Sequence, residues 1–168
     1  MDNVKKETRS RMMSAVRDKN TKLEIEIRRR LFAKGFRFRI HRKDLPGTPD
    51  IVFPRYNAII FVHGCFWHMH GCPRSRLPDT RQAWWKAKLE DNKRRDEAAV
   101  RDLEDAGWRV MLIWECGYRR KGVRESEALD EMAEAAAVFL ESQTLYTEIP
   151  QIAVTDMQSP GLEGVSDG

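Results

Sequence analysis

Cysteine is scarce in this chain of 168 residues: there are three, at positions 65, 72 and 116. Three cysteines cannot all pair with one another, which excludes a disulfide framework as the organising principle. A reducing, cytosolic setting follows, and there clustered Cys and His point to a metal. Long apolar runs are also missing. None approaches the ~20 residues needed to span a bilayer, and the start, MDNVKKETRSRMM, has no apolar segment of the signal-peptide kind. Basic residues nearly vanish late in the chain: residues 123–168 carry one Lys/Arg against ten Asp/Glu. Residues 1–122 carry 29 against 16, so the net charge of +4 conceals a basic body and an acidic end. The first 43 residues alone hold 15 basic and five acidic residues. Such a balance invites a polyanion, most simply nucleic acid, although a solvated basic arm would look the same.

What is present reads as one α/β domain of a length that buries a real core. Residues 1–20 form a basic arm with one short helix around Arg9–Val16. In TKLEIEIRRRLFAKG, Leu23, Ile27 and Leu31 make one helical face, Thr21 and Glu24 have capping-box spacing, and Gly35 ends the helix. FRFRI (36–40) alternates as a strand with one solvated face. LPGTPD (45–50) is a turn, DIVF a short strand, and AIIFV (58–62) a central strand covered on both sides. Asp79 or Thr80 caps a long helix reaching Ala106. WRVMLIW (108–114) is a second buried strand, and Glu125 to Glu141 an amphipathic helix. The last twenty residues, rich in Gly, Ser, Pro and acid, read as disordered. The expected order, α-β-β-β-α-β-α, makes a mixed central sheet flanked by helices, with sites at strand ends. The domain spans 21–148, between the arm 1–20 and an acidic tail 149–168.

The densest chemistry lies in VHGCFWHMHGC (62–72), with three of the four histidines and two of the three cysteines. Cys65, His70 and Cys72 form C-x4-H-x-C, and Cys116 follows the strand 108–114. Loops after two neighbouring parallel strands can meet, which would close a tetrahedral Cys3His zinc site and leave no thiol free. His63 and His68 compete with His70 for the histidine position. His70 lies nearest Cys72, and choosing it frees the other two. The alternative, ordinary buried cysteines, leaves HMHGC unexplained.

Asp50 opens a strand whose neighbour ends at Val62, and such a carboxylate can hold Mg²⁺ together with carbonyls and water. A lone Asp in a turn is more often a turn former. His63 and His68 are candidates for proton transfer. Glu24 serves the helix cap and can also help position a metal-bound water from across the site. Phe66 and Trp67 project outward if zinc fixes their loop, as wedges between base steps. Trp84 and Trp85 lie about 100° apart on their helix, so one is expected in the core and the other beside the wedge.

Taken in order, LPGTPD, IIFVHGCFWH, TRQAWW, RRD and GWRVMLIWEC resemble the very short patch repair (Vsr) mismatch endonucleases over roughly residues 8–140. The resemblance implies a restriction-endonuclease-like fold. It also implies a Mg²⁺-dependent nick in one strand, 5′ to the T of a T:G mismatch left by deaminated 5-methylcytosine. By resemblance, Asp50 binds Mg²⁺ with the backbone carbonyl of Val62, where the family has Thr. His68 is the catalytic histidine working with metal-bound water, and His63 and Glu24 assist. Cys65, His70, Cys72 and Cys116 hold the structural zinc. Phe66, Trp67 and Trp85 form the DNA wedge. The implied setting is the bacterial cytoplasm and nucleoid. A single nick needs one active site, which suggests a monomer, and mismatch-repair proteins are the expected partners. Two other readings compete: a restriction-type endonuclease that cuts by sequence alone, and a zinc-stabilised DNA-binding module without catalysis.

Overall fold

In the computed structural model, which describes residues 19–151, the first helix starts where its cap chemistry places it. Helix α1 (Lys22–Ala33) opens on Thr21, whose hydroxyl accepts from the Glu24 N–H while the Glu24 carboxylate accepts from the Thr21 N–H. Its face of Leu23, Ile27 and Leu31 is buried, as the period of four requires. Then follow β1 (Arg39–Ile40), β2 (Ile51–Phe53), β3 (Ala58–His63), α2 (Gln82–Asp105), β4 (Arg109–Trp114), α3 (Glu125–Glu141) and β5 (Tyr146–Ile149).

The five strands form one sheet in sequential order. The β1–β2 and β2–β3 pairs are antiparallel, and β3–β4 and β4–β5 are parallel. Strand side chains alternate between faces. Ile51, Phe53, Ala58, Ile60, Met111 and Ile113 point into one core beneath α1 and α3. Val52, Ile59, Phe61, Val110, Leu112 and Trp114 point into a second core with Leu103 of α2. The sheet is therefore sandwiched, and β3, at its centre, is covered on both sides as its unbroken apolar run indicates. Buried Arg109 locks one end of the sandwich. Its guanidinium donates to the carbonyls of Tyr56 (2.9 Å), Phe139 (2.8 Å), Leu140 (2.9 Å) and Thr144 (3.4 Å), satisfying the last carbonyls of α3.

Three expectations are corrected. Only Arg39 and Ile40 of FRFRI pair as strand, because the chain is still tied to α1 through the Phe36 N–H to the Leu31 carbonyl. Phe36 and Phe38 instead pack edge-on against Phe53. Neither Asp79 nor Thr80 caps α2. Its N-cap is Arg81, at φ +55° and with no side-chain cap. Strand β5 was not anticipated, and it extends to Ile149. The expected helix at Arg9–Val16, the rest of the arm to residue 18, and the tail from residue 152 lie outside the described residues. No helix among the described residues is long and apolar enough to cross a membrane.

Arg109→Met would orphan several buried carbonyls at once. We expect a loss of about 2–4 kcal/mol, read as a lower urea midpoint with an unchanged slope.

Candidate active site and metal centre

Both clusters of chemistry sit where β3 and β4 end. In their parallel register Val62 lies opposite Ile113 and His63 opposite Trp114. The two following loops therefore leave the sheet side by side, and the Cys116 N–H donates to Cys65 Sγ at 3.3 Å.

Cys65, His70, Cys72 and Cys116 converge, with one donor atom from each lying within 4.8 Å of all the others. His70 Nδ1 lies 3.6 Å from Cys65 Sγ and 3.4 Å from Cys116 Sγ. For donors about 2.0–2.3 Å from a central zinc, tetrahedral edges come to roughly 3.5–3.8 Å, so the group fits that ion in donor type and spacing. Cys65 is fully buried, and contact with Cys116 and loss of solvent push its thiol pKa up while the same contact lowers that of Cys116. His70 stacks on Trp114 at 4.1 Å, its Nε2 is buried with no partner among the described residues, and burial lowers its pKa. His63 and His68, the competing ligands, belong to a different cluster.

That second cluster lines a cavity of about 210 Å³ bounded by His41, Asp50, Val62, His63, His68 and Asp96. Asp50 Oδ2 accepts from the Val62 N–H at 2.7 Å. The N–H and C=O of one strand residue point to the same side, so the Val62 carbonyl also lies on Asp50's side. Burial raises the Asp50 pKa to about 7, against the pull of the Val62 N–H. A buried carboxylate so costly to ionise, next to a backbone carbonyl, is a donor set that suits a hard cation such as Mg²⁺. His68 Nδ1 is 2.5 Å from Asp96 Oδ2 on α2. The His68 ring stacks on His63 at 3.8 Å, with 3° between the planes. His63 is buried, its Nδ1 has no partner among the described residues, and desolvation holds its pKa well below the usual value.

Glu24 approaches this cleft, and a group of Glu24, His41 and Asp50 has donor atoms within 4.8 Å of one another. Its carboxylate is nevertheless fully engaged: Oε1 accepts from the Thr21 N–H and hydroxyl, and Oε2 from the Asn20 N–H at 3.0 Å and meets His41 Nε2 at 3.1 Å. The capping role read for it is observed, and the carboxylate stands beside the cleft.

Phe66, Trp67 and Trp85 form one aromatic cluster, with ring centroids 5.1 to 6.0 Å apart. The Asn92 side chain donates to the Trp67 carbonyl at 3.3 Å and ties the loop to α2. Neither tryptophan of the helix start is core: Trp84 is 47% exposed, and Trp85 is half-buried against Phe66 and Trp67. The inward stripe of α2 begins only at Leu89.

Sequence reasoning gave no role to Asp96 or His41. Asp96 was detectable, since Leu89, Asn92, Asp96, Ala99 and Leu103 recur at intervals of three and four. Two polar residues thus interrupt an apolar helix face. His41 carried no comparable signal.

Comparison with known proteins identifies the family. The family model described as DNA mismatch endonuclease Vsr matches residues 1–74. The type II nicking enzyme V.XorIIP of Xanthomonas oryzae is 47% identical over 125 residues, covering 74% of this chain and 92% of that protein. The DNA mismatch endonuclease Vsr of Escherichia coli is 40% identical over 129 residues, covering 77% and 83%. The type II nicking enzyme V.NmeAIP of Neisseria meningitidis is 37% identical over 115 residues, covering 68% and 82%. The chain belongs to the Vsr family and is a DNA endonuclease.

If the Cys3His group holds zinc, purified protein will contain about one zinc per chain, and Cys72→Ser will lose it together with a large part of the thermal stability. Folded protein with no metal by elemental analysis would refute the assignment.

Proposed function

We propose that this Vsr-family endonuclease nicks one strand of duplex DNA 5′ to the T of a T:G mismatch of the kind left by deaminated 5-methylcytosine. The observation that carries the reading is the meeting, in one cleft, of Asp50 with the Val62 backbone and of His68 with Asp96, beside a cluster of three aromatic rings. The sandwiched mixed sheet suits a restriction-endonuclease-like core that presents its site at strand ends.

Asp50 and the Val62 carbonyl would hold Mg²⁺. When bound there, the ion supplies Lewis-acid stabilisation of the negative charge that builds on the phosphodiester. Asp50 must be ionised to bind it, and cation binding works against the burial that raises its pKa. Asp96 accepts from the Nδ1–H of His68, which fixes the tautomer with Nε2 free to take a proton. His63, kept neutral by burial, supports the His68 ring through stacking and limits its rotation. Phe66, Trp67 and Trp85 would enter the stack beside the mismatched pair, where unstacking costs least. Zinc on Cys65, His70, Cys72 and Cys116 would hold the loop that carries Phe66 and Trp67. Duplex DNA is the partner this site requires. The monomeric state and the link to mismatch-repair proteins remain part of the same proposal.

Incubation with Mg²⁺ and matched or T:G duplexes tests the reading. Nicking confined to the T strand of the mismatch, and lost in Asp50→Ala and His68→Ala, is the expected result. Equal cutting of matched DNA would overturn the mismatch specificity. Asp50 gives a second test through stability. It ionises near 3.8 unperturbed and near 7 in the fold. Its contribution to stability is thus full below the lower value and is lost as pH rises through the upper one. Asp50→Asn should therefore abolish nicking yet raise the stability of the metal-free protein at pH 8, by on the order of 1–3 kcal/mol. The gain should shrink toward pH 5, and equal melting curves at both pH values would contradict it.

A further inference from the structure

Trp84 is left unused by the wedge, although it is among the largest exposed apolar side chains of the described residues. It stands on the first turn of α2, on the outer side of the aromatic cluster, edge-on to Trp85 at 4.9 Å. Two cations flank its ring. The Arg81 guanidinium lies 5.1 Å and Lys88 Nζ 5.6 Å from the ring centroid. The positions 81, 84 and 88 share one helix face. Neither cation has a carboxylate within ion-pair distance among the described residues: Asp79 pairs with Arg76, and Asp91 pairs with Arg94 and Arg95. The helix begins with no acidic residue in its first turn and no side-chain cap on its N–H groups.

The indole is half-exposed between two cations that have no carboxylate partner among the described residues, and core packing does not account for it. It buries no core, and the apolar stripe of α2 begins one turn later. We propose that Arg81, Trp84 and Lys88 form a second DNA contact, which grips the sugar–phosphate backbone next to the wedge without reading the mismatch. The two cations take phosphates, and the indole packs on the sugar and the open base face beside them, the pairing of charge and aromatic surface that suits nucleic acid without sequence preference. Continuity with Trp85 puts this contact on the DNA strand next to the step the wedge would open. The proposal rests on the chain being a DNA endonuclease and not on the T:G reading, because its effect is expected on matched DNA as well.

The test measures binding of the full-length protein to matched and T:G duplexes without divalent ions, across a range of salt. Trp84→Ala should weaken both duplexes by the same factor, roughly ten-fold, and Trp84→Phe should restore most of that loss. Arg81→Gln/Lys88→Gln should flatten the slope of log Kd against log salt by about 1.8, the release of counterions from two phosphates. Trp85→Ala, in contrast, should weaken the T:G duplex more than the matched one. Unchanged affinity of Trp84→Ala for matched DNA, or an unchanged salt slope in the double variant, would overturn the proposal. A loss confined to the T:G duplex would overturn it too, by making Trp84 part of the wedge. If matched DNA behaves as expected but Trp85→Ala shows no mismatch preference, the wedge reading fails and this one stands.

Discussion

Six residue pairs join β3 to β4 in parallel, from Ala58 opposite Arg109 to His63 opposite Trp114, and both clusters of candidate metal ligands depend on where that ladder stops. Two parallel neighbours end at the same edge of the sheet. The residues just past each end are therefore adjacent however far apart they lie in sequence, as the Cys116 N–H on Cys65 Sγ shows. Parallel pairing also forces a crossover, which α2 provides. Its 24 residues span about 36 Å at 1.5 Å per residue, whereas the six residues of β4 span about 20 Å. The surplus of roughly ten residues has no sheet beneath it. Because α2 starts at the end where β3 stops, that surplus overhangs the site. This is why Trp84 and Trp85 lie beside the loop of Phe66 and Trp67 and outside the core, and why Asn92 can reach the Trp67 carbonyl.

Alternation along the strands then distributes the chemistry. His63 follows Ile59 and Phe61 onto the α2 face, and Asp50 shares that face with Val52. Asp96, on the inward stripe of α2, meets them there. Polar groups are thus placed in what would otherwise be a continuation of the second core, and the penalty is visible in Asp50, whose pKa is driven up mainly by desolvation. A buried pair of strand ends would offer the proposed cation a preformed backbone carbonyl and carboxylate. The same burial makes the carboxylate unfavourable until a cation arrives. If this residue holds the proposed cation, stability and cation affinity are opposed there, as expected where a site is preorganised for charge it does not itself carry.

The parts of the fold that local physics decides were legible. The capping box at Thr21 and Glu24, the buried runs of β3 and β4 and the periodicity of α3 each contain their own explanation. The parts decided by neighbours were not. β5 is four residues long and its burial pattern is one exposed position followed by three half-buried ones, so only pairing with β4 makes it a strand. Phe36 and Phe38 have strand spacing, but the chain leaving α1 is still bonded to the helix. Among site residues, the four zinc-type donors converge where their spacing and the parallel strands place them. Asp96 needed the three-dimensional partner His68 to acquire meaning, although its interruption of an apolar stripe was there to see. His41 pairs with Glu24 through a turn at φ +47°, which no spacing rule anticipates.

The division between His68 and His70 was likewise not a matter of spacing; resemblance supplied it, and backbone geometry explains it. The segment from Gly64 curls as a helical turn, with the His68 N–H on the Gly64 carbonyl and the Met69 N–H on the Phe66 carbonyl. Met69 then adopts φ +50°, a left-handed conformation that ends such a turn, and the His70 N–H returns to the Cys65 carbonyl. Had the turn continued as a helix, His68 and His70 would be separated by about 200° about one axis, with the loop still climbing away from the sheet. The left-handed residue reverses that climb. It leaves His68 on the side of α2 with Asp96 and sends His70 back toward the cysteines and Trp114. One backbone angle therefore separates the imidazole beside Asp96 from the one among the cysteines, across a single intervening residue. A β-branched side chain at position 69, which resists positive φ most strongly, would be expected to disturb both clusters together.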